Sequence, residues 1–288
     1  MTFDRRRVAA QAARRALEVR KRIGVPLHNP ICPYEAAARI GLDLWFVDLP
    51  SMEGIYYPNG RAIVLSSLRP AGRQAFTCAH EIGHDAHGDG QQFDELVDDR
   101  TDVRRFDLPE FRADAFAGEF LMPKSAVLRA FHERNADPCV CQPEAFYGIS
   151  CWLGVGYTAL VHHSIKVLRI IDAARAGALL RIRLPQIRFR MLGQDCEAPL
   201  VVVDECWRDR SIDLQVGHRL LLPKGAAIEG SCARVVEDLQ GAVLAEAISP
   251  GLGRAAARAW SSFIRVSRRG YVGRACYRFE EEAADDGD

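Results

Sequence analysis

Three of the chain's eight histidines fall within the thirteen residues FTCAHEIGHDAHG, at positions 76–88. His80 and His84 are four residues apart, so on a helix their imidazoles stand one turn above the other and can reach a common ion. The periodicity of residues 69–87 predicts that helix, with the histidines inside it rather than on a loop. Glu81, in His80-Glu81-Ile82-Gly83-His84, projects to one side of the pair, where it can handle a proton on water without ligating the ion. This is the H-E-x-x-H pattern, and it predicts zinc held by His80 and His84 with Glu81 as general base. The longer form H-E-x-x-H-x-x-G-x-x-H is excluded, because positions 87 and 90 are His and Gly where Gly and His are required.

A catalytic zinc takes three protein ligands and keeps one position open. A second helix is predicted over 108–121, with proline in its first turn at Pro109. Glu110 and Asp114 lie four apart on it and share a face. Both are candidates for the third ligand; Glu110 is the first choice for the ion, with Asp114 orienting a ligand imidazole through its free N–H. His87 would crowd a tetrahedral site and is read as a surface or supporting histidine. The group that steadies an oxyanion is open among His87, Tyr56 and Tyr57.

A chain of 288 residues predicts about two domains. Before the histidines, residues 33–41 read as a short helix entered at Pro33 and closed by Gly41, and 42–49 as a strand. Asn59-Gly60 between two β-prone runs predicts a hairpin. Residues 91–105 are polar and acidic and read as a loop; helices are expected from there to about 164. From 165 onward β-prone runs prevail, among them 165–172 and 178–184, with one helical stretch at 253–262. The expectation is an α+β protein: a helical domain with a small β-sheet over 1–164, then a separate, mostly antiparallel α+β domain over 165–288.

The 38 Lys and Arg balance 38 Asp and Glu, so no global field draws the chain to nucleic acid or anionic lipid. The arginine-rich start, DRRRVAAQAARRALEVRKR, has apolar residues at helical spacing and reads as an amphipathic helix with a solvated face. The acidic end, EEEAADDGD, reads as a frayed tail. No run reaches the ~18 apolar residues of a membrane span, and MTFDRRR opens no signal peptide, which predicts a cytoplasmic protein with reduced thiols. Cys139 and Cys141 have the wrong spacing for a zinc knuckle.

Two segments, RQAFTCAHEIGHDAHGD and EFRADAFAGEFLMP, resemble in order and separation the two motifs of the ImmA/IrrE-type metallopeptidases. With the preceding hairpin, the resemblance covers about residues 30–130. It implies a zincin-like domain: a zinc peptidase of narrow specificity that inactivates a partner, commonly a helix-turn-helix repressor, and so switches on a stress or mobile-element programme. The chain departs from the pattern at Arg112, where the family often has Glu; Glu110 is the matching ligand on its spacing to Asp114, which resembles that of thermolysin-like zinc peptidases. The second domain is then expected to sense a signal or hold the partner. The rival reading is a non-catalytic regulatory or DNA- or repressor-binding protein, a toxin–antitoxin or mobile-element component, with structural zinc or none. The intact Glu81 argues against it, since a structural site has no use for a base.

Overall fold

The computed structural model describes residues 4–90, 92–95, 107–207, 210–258 and 260–280, and in them the chain is α+β. Helix α1 (Arg5–Arg22) starts at Asp4, whose carboxylate accepts the backbone N–H groups of Arg6 and Arg7. Ala12, Ala16 and Val19 form its buried stripe. Arg20 lies on that stripe as well, wholly buried, and donates to the carbonyls of Phe120, Pro26 and Asn29 at 2.6, 2.9 and 2.5 Å. The solvated face expected for the arginines therefore has an exception that does structural work.

Helix α2 (Pro33–Arg39) ends ahead of Gly41, whose φ of +78° turns the chain into strand β1 (Asp43–Val47). The predicted hairpin is β2 (Met52–Tyr57) and β3 (Ala62–Ser66), with Tyr57 opposite Ala62 across the Asn59-Gly60 turn. The motif helix is α3 (Ala71–His87), closed by Gly88 at φ +71°. Where polarity predicts a loop, strand β4 (Gln92–Glu95) pairs antiparallel with β2; the rest of that loop lies outside the described residues. Backbone pairing needs no apolar pattern, which is why composition misses such an edge strand. Helix α4 (Leu108–Leu121) carries Pro109 in its first turn, and α5 (Lys124–Glu133), α6 (Pro143–Leu153) and α7 (Tyr157–Lys166) follow.

Two expectations for the remainder are overturned. Residues 165–172 and 178–184 form no strand: the first run holds the end of α7 and the turn after it, and the second lies in helix α8 (Ala173–Arg181) and the link to α9 (Leu184–Leu192). Asp172 caps α8 by accepting the N–H of Arg175, and short apolar runs are ambiguous between helix and strand until such a cap is weighed. Residues 253–262, alanine-rich and read as helix, lie instead in a hairpin.

The strands here are β5 (Leu200–Val202), β6 (Ile212–Gln215), β7 (Arg219–Pro223), β8 (Ala227–Glu229), β9 (Ala233–Asp238), β10 (Ala242–Ala247), β11 (Gly251–Ala257), β12 (Trp260–Ser267) and β13 (Gly273–Arg274). The hairpin is β11–β12, with Ala257 opposite Trp260 and Arg258 in the left-handed turn at φ +34°. One sheet runs β5-β7-β10-β9 and another β6-β12-β11-β8. β13 returns to the first sheet, in the order β13-β1-β3-β2-β4. Among the described residues no helix is long and apolar enough to cross a membrane. The acidic tail lies outside the described residues.

Candidate metal centre

Two close approaches, both through glycine, set the site. On the sheet side, a Cβ at Gly54 of β2 would come within 2.5 Å of Thr77 Cγ2 and 2.9 Å of Glu81 Oε1, so only glycine lets the strand lie this close to α3. On the helix side, a Cβ at Gly83 would come within 3.2 Å of the Ala113 Cα, so the bare face of α3 admits α4. Phe116 and Phe120 of α4 stack at 5.3 Å and are wholly buried against the same core. Glu110, two turns before Phe116, is thereby held over the histidines.

His80 Nε2 and His84 Nε2 lie 3.0 Å apart. Glu110 completes the group, with Oε2 3.2 Å from His80 Nε2 and Oε1 3.4 Å from His84 Nε2. One ligand atom from each of the three residues falls within 4.8 Å of the others. Asp114 lies 3.0 Å from His80 Nδ1, on the far side of that ring. Glu81 is 1 % exposed and sits between α3 and β2, beside the cluster rather than in it.

Asp89, which sequence reasoning passed over, lies 3.0 Å from His84 Nδ1 and is paired with the Arg112 guanidinium. The left-handed turn at Gly88 swings it back over the end of α3. Arg112, the departure from the family pattern, does not impair the cluster: its charge is spent on Asp89. Of the oxyanion candidates, Tyr56 donates to Asp85 at 2.8 Å, and His87 Nδ1 donates to the Gly83 carbonyl at 2.7 Å with its ring edge on Phe116.

These contacts determine what the cluster can hold. Carboxylates only accept, so Asp114 and Asp89 require a proton on the Nδ1 of each histidine. In the neutral rings both Nε2 atoms are then lone pairs, facing each other and an acidic Glu110. Three acceptors converging on one point repel unless a cation lies among them, and two nitrogens and a carboxylate oxygen are a donor set that first-row divalent metals accept. The titration preferences agree. A proton on Nε2 can stand in for that cation: hydrogen bonds from a protonated His80 and then His84 hold Glu110 well below the usual carboxylate range, against the effect of burial. Burial alone would depress His84, but Glu110, Glu81 and Asp89 outweigh it and raise its pKa. The cluster attracts positive charge, and a metal ion fits it.

Residues 37–151 match the Peptidase_M78 family, described as the IrrE N-terminal-like domain. Among solved structures, a Mycobacterium tuberculosis transcriptional regulator is similar at 18% identity and a TM-score of 0.39. That likeness covers 57% of this chain and 48% of the regulator, so it spans about half the regulator's length and carries no argument about function. No curated protein matches the chain. The matched residues hold the whole cluster, from His80 to Asp114, together with the strands and helices that assemble it; over 37–151 the chain is similar to the IrrE N-terminal-like, metallopeptidase-like domain of the ImmA/IrrE-type family.

Proposed function

We propose that the chain is a zinc-dependent endopeptidase of zincin-like build, acting in the cytoplasm on a specific protein partner. The observation that carries this reading is the convergence of His80, His84 and Glu110 within 4.8 Å, with a carboxylate behind each imidazole and Glu81 beside them. In this reading His80, His84 and Glu110 hold the metal, and Asp114 and Asp89 keep each imidazole in the tautomer that presents Nε2. When bound, zinc supplies Lewis acidity toward a peptide carbonyl and toward water. Glu81 takes the proton of the attacking water and returns it to the leaving amine. Its burial against Gly54 keeps the carboxylate from turning toward solvent.

The substrate reading, a helix-turn-helix repressor whose cleavage changes gene expression, rests on the family alone. The test is metal analysis of the purified chain, followed by incubation of wild type and Glu81→Gln with a repressor encoded beside its gene. The expected result is about one zinc per chain in both proteins, with repressor cleavage by wild type only. Absence of metal, or cleavage by Glu81→Gln at the wild-type rate, overturns the enzymatic reading; inactivation of the repressor by both proteins without cleavage establishes the binding reading instead.

A further inference from the structure

A cavity of about 1750 Å³ lies between the helical half and the C-terminal strands, away from the metal cluster: His80, Glu81, His84 and Glu110 are not among its walls. Trp152, Val155, Trp207 and Arg210 line it, with Gly72 and Ala75 from the first turns of α3 on the opposite side. Arg210 is its unusual member. The guanidinium lies over the Trp207 ring at 4.9 Å and against Gly154, where a Cβ would stand 3.1 Å from Nη2. Its Nη1 is shielded from solvent and has no hydrogen-bond partner among the described residues. The indole Nε1 of Trp207, a residue 2 % exposed, has none there either.

The acids nearby are already engaged. Asp213 accepts Arg265 at 2.6 and 2.9 Å and Arg278 at 3.2 Å, and Glu35 is paired with Arg265 at 2.8 Å. The two neighbouring thiols offer no counter-charge, since burial pushes Cys32 up and Cys151 to about 11. A partly buried cation without a counter-ion is costly, and an unpaired indole N–H adds to that cost. Burial lowers the pKa of Arg210, yet a guanidinium does not shed its proton in a protein. An acid group in the cavity supplies the counter-charge that Arg210, one of its walls, lacks among the described residues.

We infer that this cavity is a binding site for a small organic anion, a carboxylate or phosphate on a flat apolar body, with Arg210 as its charge anchor and Trp207 and Trp152 as its apolar walls. The planar, forked guanidinium suits two-point recognition of either acid group, and it is already oriented by stacking on the indole. The site stands independently of the metal cluster and of the peptidase reading.

The test uses the full chain in phosphate-free buffer with three probes of similar body: benzoate, phenyl phosphate and the neutral benzyl alcohol. Tryptophan fluorescence follows binding, because two of the wall residues are tryptophans, and thermal unfolding follows stabilisation. At least one anion should bind saturably and ten or more times tighter than benzyl alcohol, and raise Tm; which of the two binds better distinguishes a carboxylate from a phosphate ligand. In Arg210→Gln that preference should fall at least tenfold while the ligand-free Tm holds or rises, because an uncompensated charge has been removed. Equal binding of the alcohol, a preference that survives in Arg210→Gln, a lowered ligand-free Tm in that variant, or no saturable binding of either anion overturns the proposal. Should Arg210→Gln not fold, the ratio of anion to alcohol in wild type still decides.

Discussion

Asp89 holds two partners at once, the His84 Nδ1–H and the Arg112 guanidinium, and it does so at 9 % side-chain exposure. Asp114 does the equivalent for His80 at 63 % exposure. Water can replace an exposed acceptor but not a buried one, so the two carboxylates should differ in weight. Asp89→Asn should weaken zinc binding by about 10–100-fold, the usual scale for a group that orients a ligand imidazole, and Asp114→Asn by less. Competition against a chromophoric chelator measures both; equal losses would show that exposure does not set the difference. At a distance from the cluster, His163 donates Nε2–H to the Met122 carbonyl at 2.9 Å, and burial lowers its pKa to about 4. The unfolded chain binds a proton near the ordinary histidine value of ~6.5, whereas folded His163 refuses it until about pH 4. Stability contributed by the neutral ring is therefore full above ~6.5 and lost as pH falls toward 4, by up to about 3 kcal/mol. His163→Gln, which keeps a donor but has no proton to bind, should show a flatter fall in urea midpoint between pH 7 and 4.5 than wild type.

At the scale of elements, Gly83 couples helix packing to metal geometry. Gly83→Ala adds helix propensity of about 1 kcal/mol but sets a methyl 3.2 Å from the Ala113 backbone, which cannot swing aside. α4 must give by tenths of an ångström and take Glu110 with it, so zinc affinity should fall about tenfold while stability changes by only about 1 kcal/mol. Parallel chelator and urea titrations separate the two; an unchanged affinity would mean that α4 relaxes without moving Glu110. The elements α3 and α4 were legible because both carry a helical period and a punctuating residue, Gly88 after one and Pro109 within the other. Their spacing also brought His80, His84, Glu110 and Asp114 into view together. Asp89 was not legible, since it acts across a turn whose direction no periodicity encodes. Arg20 was hidden among solvated arginines, and its burial depends on carbonyls as far away as Phe120. The alanines of β11 point to helix by propensity, but pairing with β12 and β8 overrides that preference.

Across the whole molecule, the last described residues reach back to the first sheet. β13 pairs with β1, placing Arg274 opposite Trp45 and Gly273 opposite Phe46. Tyr271 meets the Phe46 ring edge-on at 6.3 Å, and Arg274 binds Asp43 at 2.8 Å with its guanidinium 5.1 Å over Trp45. Arg278 then spans both halves, packing on Tyr34 of α2 at 5.0 Å and on Asp213 of β6 at 3.2 Å. The β-prone run 271–279 could be read from the sequence, but its pairing could not, because the partner lies more than two hundred residues earlier. A chain ending at Gly270 would bare the β1 edge, leave Trp45 without its cover and leave Asp213 to Arg265 alone. Each exposed pair contributes little by itself. The uncovered aromatic surface and lost strand pairing together should cost about 2–4 kcal/mol, which for a chain of this size lowers Tm by about 5–10 °C. Calorimetry of the two chains measures that shift, and light scattering of the shortened one should reveal concentration-dependent association through the bared edge. If instead Tm is unchanged and the shortened chain stays monomeric, the returning strand is an ornament on the first sheet, and the two halves are held together by α6 against β5 and by the core that Leu200 and Tyr147 share.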